Sequence, residues 1–210
     1  MNPQDRCVKT PGIEFFAAAL TIALRQKFPD FGEVFKATLY KECPLLMPFK
    51  PPKLNNQSNE DFSESCGYRL TNGICEEYYH YEARTKRFAS LLAALWISFP
   101  RKNETECISP YDIRYGWKYF ANVLNLPPNS VYLHIIDKML DVCGFMLHEM
   151  YGKQFIKLML MIRDKYIPIV QSSIDEETTA SFNRLKETVN KYFTEKKFNE
   201  PKGRVVLGFW

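Results

Sequence analysis

Glycine is scarce in this chain, nine residues in 210, and histidine is scarcer, with three. So few glycines leave little of the turn chemistry that a β-rich domain uses. The six cysteines, at positions 7, 43, 66, 75, 107 and 143, form no CxxC pair. No Cys/His set has zinc-site spacing, and the nearest cluster, Cys66, Cys75 and His80, lacks a fourth ligand. Reduced, partly buried thiols of a cytosolic or nuclear protein are expected instead. The sequence also lacks GxSxG, HExxH and the GxxxxGK phosphate loop. His148-Glu149 starts like HExxH, but Gly152 stands where the second histidine belongs. With His134 and His148 placed on helix flanks, no enzyme is expected. The amino terminus carries no secretory pattern, and "FFAAALTIAL" is too short for a membrane span and runs straight into Arg25 and Lys27. A soluble intracellular protein without membrane insertion is the expectation. Net charge is only +4. That is mild for a nucleic-acid module and equally suited to acidic protein or phosphate partners.

Hydrophobic residues make up 46% of the chain and aromatics 15%, enough for one packed core and a single domain over 1–210. Helical periodicity dominates. Ile13 to Phe28 reads as a helix stopped by Pro29, and a second, capped by Asp30, runs to Glu42 before Pro44. Residues 50–77 read as a long loop insertion with a small hairpin turning at Asn72-Gly73. Phe88, Leu91, Leu92, Leu95, Trp96 and Phe99 form the stripe of a third helix ended by Pro100. Ser109, with Pro110 at the first helical position, starts a fourth, and Asn129 or Ser130 a fifth. The fifth helix carries Tyr132, Ile135, Ile136, Met139, Leu140, Cys143 and Leu147 on one face. A sixth, with Phe155, Leu158, Met159, Ile162 and Tyr166, is expected to end at Pro168. Phe182, Leu185, Val189 and Phe193 mark a seventh, and the tail after it reads as extended. About seven helices with short connections and wide stripes predict an all-α, HEAT-like α-α superhelix with degenerate pairs.

Several features invite a binding role, and each has a plainer reading. Arg84, Lys86 and Arg87, Arg101-Lys102, and Lys191, Lys196 and Lys197 are basic clusters that read as solvated faces or last-turn dipole partners. The aromatic run "IRYGWKYF" does not alternate like a base-stacking platform, and Trp117 and Phe120 read as core. The corner "TLYKECPLLMPFKPPK" is different. Four prolines there hold Lys41, Lys50 and Lys53 near one place, beside an apolar strip that cannot be helix.

"LYKECPLLMPF", "CGYRL", "YEARTKRFASLLAALWISFP", "YGWKYFANVLN" and "MLDVCGFMLHEMYGKQFIKLMLMIRDKYIP", followed by the closing "PKG…FW", resemble in order and spacing the C-terminal domain of the Gle-one mRNA-export family. The likeness covers nearly all of the chain from about Ile13. It implies a HEAT-like, MIF-four-G-like domain at the cytoplasmic face of the nuclear pore, in a protein of nucleus and cytoplasm. Such a domain binds a DEAD-box RNA helicase and stimulates its ATPase cycle by favouring a parted arrangement of the RecA lobes. The resemblance further implies an FG-repeat nucleoporin peptide and translation initiation factors as partners, with RNA met only indirectly. In fungal members inositol hexakisphosphate bridges the two proteins. A HEAT-type RNA or ribonucleoprotein adaptor that leaves helicase turnover unchanged is the alternative.

The resemblance carries Lys41 over to inositol-phosphate binding; Lys9, upstream of the matching motifs, is a candidate for the same role, and Lys27, Lys36, Lys50 and Lys53 are candidate helicase contacts. It implies no catalytic residue, no metal and no intrinsic cofactor. Leu45, Leu46, Met47 and Phe49 are expected to lie across neighbouring helix ends as filling. Two departures stand out. Glu42 occupies the place of the family's second lysine, and losing one charge-assisted phosphate contact costs roughly 1.5–3 kcal/mol before any repulsion is added. The chain also starts downstream of the family's other basic contacts, so it is expected to be N-terminally truncated relative to the family. Weak inositol hexakisphosphate binding is expected.

Overall fold

A computed structural model describes residues 12–49, 51–98 and 111–204. Helices account for nearly all of the regular structure: α1 (Ile13–Lys27), α2 (Pro29–Glu42), α3 (Asn59–Ser65), α4 (Tyr78–Ile97), α5 (Ile113–Asn125), α6 (Leu133–Tyr151), α7 (Lys153–Met161), α8 (Ile167–Gln171) and α9 (Glu176–Glu195). A two-stranded hairpin, β1 (Leu70–Thr71) and β2 (Ile74–Cys75), is the one sheet among the described residues. The chain is all-α, as expected.

Helix α1 packs on α4, α4 on α6, and α6 on α9, so these four form a row with α2, α5 and α7 along its flanks. Sequence explains the order. All seven residues of the predicted α6 stripe are buried, and so are Leu133, His134 and Val142 beside them. A helix apolar over so much of its circumference must sit between neighbours. Gly144 lets the chain after α9 close over it, since a Cβ there would meet the Phe198 ring at 3.0 Å. Phe198 stacks on Tyr192, ring centroids 5.1 Å apart.

The ends of the elements correct several expectations. Asp30 does not cap α2. It lies in the first turn, behind Phe28 at the cap and Pro29 at the first position, where a carboxylate still favours the helix dipole. Ser109, Pro110, Phe99, Pro100, Arg101 and Lys102 fall outside the described residues, and Asp112 caps α5 by accepting the Arg114 amide. The 50–77 insertion is not all loop: Ser58 caps α3 by accepting from the Asp61 amide. Pro168 does not end the sixth helical stretch. The backbone widens into a π-helical turn at Ile162–Tyr166, the Ile167 amide bonds to the Ile162 carbonyl, and α8 continues with Pro168 in its first turn. Widening the turn relieves the clash and the missing donor that a proline brings to a helix interior. Residues 205–210 of the tail lie outside the described residues.

A polar network ties the central row together. The Glu82 carboxylate of α4 accepts from the Ser181 hydroxyl and, at 2.5 Å, from Arg184, both on α9, and pairs with Lys86 at 3.0 Å. Thr188 of α9 donates to Asp137 of α6 at 2.7 Å. His134, expected on a helix flank, is instead fully buried beside this network. Its Nε2 lies 2.8 Å from the Thr85 hydroxyl, and its Nδ1 finds no hydrogen-bond partner among the described residues.

Burial pushes the His134 pKa down to about 3; the nearby Glu82 works the other way, while Lys86 and Arg184 add to the fall. The folded value lies below the ordinary one, so between pH 6.5 and 3 the unfolded chain holds the extra proton and stability falls as the pH falls. The expected slope from this one residue is about 1.4 kcal/mol per pH unit in that window. Thermal unfolding between pH 6.5 and 5 reads it against Asp137 of the same network, whose carboxyl pKa burial pushes up and which therefore works in the opposite sense. His134→Gln should flatten the dependence there; a variant as acid-sensitive as the native chain contradicts the assignment.

Candidate functional site

The corner that follows α2 is built by its prolines. Pro44 pushes Cys43 out of the helical region, to φ −144° and ψ 83°, which ends α2 at Glu42. Pro44–Leu46 then forms one 3-10 turn. Cys43, Leu45 and Leu46 are buried, and the Tyr119 hydroxyl of α5 donates to the Leu45 carbonyl at 2.9 Å. Only half of the expected filling strip is filling, because Met47 and Phe49 are 42% and 58% exposed.

From the other side, α3, the hairpin and α4 clamp this turn. Gly67 has φ +90°, and a Cβ there would stand 2.6 Å from the Pro44 ring. The Tyr81 hydroxyl donates to the Cys66 carbonyl at 3.1 Å, and Tyr68 stacks flat on Tyr81 at 3.8 Å. At the centre is Arg84. Its guanidinium donates to the Glu42 carbonyl at 2.6 Å, to the Gly67 carbonyl at 2.7 Å and to the Glu76 carboxylate. One planar fork thus satisfies three acceptors from three segments, a geometry lysine cannot reproduce. Arg84 was expected on a solvated face. It is instead a largely buried strut, its side chain 12% exposed.

The surface of the corner carries mixed charge. Arg69 holds the Glu42 carboxylate at 2.5 Å, and that hydrogen bond keeps the Glu42 pKa below the usual carboxylate range. Counting Lys41, Arg69 and Arg84 against Glu42 and Glu76 leaves one positive charge in excess; Lys41 and Arg69 are both exposed, but Arg69 is held by Glu42. Glu42 is therefore ionised but already engaged.

The other candidate residues do not converge on this point. Lys9 and Lys50 lie outside the described residues. Lys27 ends α1 with its ammonium 5.8 Å from the Phe28 ring, and Lys53 bonds Asn59 at 2.5 Å over the Phe62 ring. Lys36 pairs with Glu33 at 3.4 Å, both near the surface. Cys66, Cys75 and His80 belong to no group of three metal-ligating side chains among the described residues. Trp117, expected in the core, is half-buried and stacks on Tyr151 at 4.4 Å, whereas Phe120 is fully buried.

Arg69 and Glu76 were missed, yet the hairpin carries their signal. Pairing Thr71 with Ile74 and Leu70 with Cys75 sets Arg69 opposite Glu76, whose carboxylate accepts the Arg69 amide at 2.9 Å.

Comparison with known proteins follows this geometry. The GLE1-like protein family profile matches residues 6–163. The chain is similar to the mRNA export factor Gle1 of Drosophila melanogaster, 33% identical over 204 residues that make up 95% of this chain and 29% of that protein. It is similar too to the mRNA export factor GLE1 of Mus musculus, 30% identical over 184 residues, 87% of this chain and 26% of that protein. The chain thus spans between a quarter and three tenths of the length of these relatives. In fold it is similar to a chain of a solved complex, the C-terminal domain of a variant S. cerevisiae Dbp5 bound to Gle1 and IP6. The TM-score there is 0.71 at 22% identity, over 88% of this chain and 62% of that one.

Proposed function

This chain belongs to the GLE1-like family, and from that premise we propose that it is an mRNA export domain that binds a DEAD-box RNA helicase and stimulates its ATPase cycle. The relatives' name supports the export role. The fold shared with a chain from a complex of Dbp5, Gle1 and IP6 supports helicase binding. The observation that carries the mechanism is the clamp on the corner. Arg84 holds the Glu42 carbonyl at the end of α2, while Gly67 and Tyr119 brace the Pro44–Leu46 turn that follows, so Lys41 stands beside a tied-down corner.

Such a support acts by differential affinity. If it contacts both RecA lobes and fits them better apart than closed, it shifts the helicase toward the parted state and speeds release of RNA and spent nucleotide. A hundredfold preference for the parted arrangement, about 2.7 kcal/mol, turns a minor population into a major one. The helicase does the chemistry, and this chain needs only shape and a few cations. Lys27, Lys36, Lys50 and Lys53 are the helicase contacts in this reading, with Lys41 the inositol-phosphate contact at the end of α2. The domain works at the cytoplasmic face of the nuclear pore, with an FG-repeat nucleoporin peptide and translation initiation factors as further partners.

Steady-state ATP hydrolysis by the cognate DEAD-box helicase with RNA tests this reading. Addition of the chain should raise turnover severalfold. Binding without any change in turnover would favour an RNA or ribonucleoprotein adaptor instead.

Inositol hexakisphosphate is a weak ligand in this account. A polyphosphate approaching Lys41 meets Glu42, whose partner Arg69 must be released before it can face a phosphate. Glu42→Lys replaces the carboxylate by a cation and frees Arg69 at the same time. Calorimetry should show an affinity gain of at least about tenfold for Glu42→Lys, the low end of roughly 1.5–3 kcal/mol for a charge-assisted contact, shrinking as salt rises. Submicromolar binding by the native chain, or no gain in the variant, would contradict it.

A further inference from the structure

Between α2, the Pro44–Leu46 turn, α4 and α5 lies a groove of about 290 Å³. Leu46, Leu92 and Trp96, all buried core residues, form its floor. One wall is α2, with Lys36 and Tyr40 one turn apart. The other is α5, with Tyr115, Lys118 and Asn122 at i, i+3 and i+7 on its exposed face. The volume sits at the bottom of the range for small-molecule pockets, roughly 300–1,000 Å³. It suits one or two large side chains of a peptide better than a whole cofactor.

Charge defines the occupant further. No carboxylate is among the described residues lining the groove, while each wall carries a lysine. Lys118 makes no ion pair among the described residues and lies 5.6 Å from the Tyr115 ring. Among the described residues Lys36 pairs only with Glu33, whose side chain is 78% exposed, and a pair so open to solvent is worth little and exchanges readily. Met47, exposed at the rim, is flexible enough to settle against different apolar shapes. The groove thus combines an apolar floor with two cations on opposite walls.

We propose that this groove docks an acidic peptide segment of a partner protein, with one large apolar side chain on Leu46, Leu92 and Trp96 and carboxylates on either side of it meeting Lys36 and Lys118. Anchor burial supplies the affinity, and the paired lysines select acidic flanks and reject basic ones. The proposal rests on no part of the helicase reading.

The test is fluorescence anisotropy with a labelled probe peptide, Glu-Asp-Leu-Phe-Glu-Asp, and three controls. In the controls all acids become Gln, or all acids become Lys, or Leu and Phe become Ser. The acidic probe should saturate, bind at least tenfold tighter than each control, and weaken as salt rises. The double variant Lys36→Glu, Lys118→Glu should lose the acidic probe and gain the lysine peptide, which shows that the variant remains folded; circular dichroism checks the same point. Equal affinity for the Gln peptide overturns the proposal. So does absence of binding at millimolar peptide, or binding that the double variant leaves unchanged. Oligouridine or an uncharged Phe-Gly peptide that displaces the acidic probe and binds more tightly would overturn it too, by naming a different occupant. The titration decides the groove whatever the helicase assay shows.

Discussion

Arg84→Met should destabilise the chain by about 3–5 kcal/mol, the usual cost of removing one partner from a buried ion pair. For a domain of this size each kcal/mol lowers the melting temperature by roughly 2–4 °C, so thermal unfolding gives a large and easily read drop. The substitution keeps much of the side-chain volume and removes the fork. It leaves the Glu76 carboxylate without its Arg84 partner and the Glu42 and Gly67 carbonyls without their donor. Arg84→Lys should recover only a fraction, because a single ammonium cannot face three acceptors in one plane. Arg87→Ala, exposed on the same helix, serves as the control and should stay within about 0.5 kcal/mol of the native chain. If Arg84→Met melts like Arg87→Ala, the clamp is not what holds the corner.

The second large effect belongs to Gly67→Ala, expected to cost about 2–5 kcal/mol from two causes that add. A left-handed backbone is strained by roughly 1–2 kcal/mol for any residue with a Cβ, and φ is +90° here. Overpacking adds about 1–3 kcal/mol, since the new methyl group would lie 2.6 Å from the Pro44 ring, which the backbone holds in place. Relief requires the corner and the α3 turn to part. Chemical denaturation measures the loss, and helicase stimulation should fall with it while the far end of the molecule stays packed. Gly73 is the comparison: it has φ +77° but nothing within 4 Å of a built Cβ. Gly73→Ala should therefore cost only the strain. Equal losses at the two glycines would mean that Gly67 does not press on Pro44.

Much of the fold is legible in the sequence because burial follows periodicity. The α6 stripe from Tyr132 to Leu147 is buried as expected, and Asn72-Gly73 turns the hairpin where two φ-positive residues are needed. Proline was less transparent. Pro29 and Pro44 end or start helices as sterics require, yet Pro168 is carried inside a helical stretch because a π turn precedes it, and no local pattern announces that widening. The site was harder to read than the fold, for a physical reason. Arg84 looks like one of three solvated bases in "EARTKR", and only tertiary packing brings Glu42, Gly67 and Glu76 around it. His134 follows Leu133 on a face read as a flank, and the packing of Tyr78 and Tyr81 beside it is what buries it. Glu42 could be read as a departure from the family's lysine, but its capture by Arg69 depends on the hairpin register.

Single-molecule energy transfer between dyes on the two RecA lobes of the helicase probes the heart of the account. With RNA and nucleotide present, adding this chain should move the helicase from the high-transfer, closed population to a low-transfer, parted one, and Arg84→Met should do so less well at a temperature where it stays folded. A helicase that binds the chain yet keeps its closed population unchanged would contradict the account.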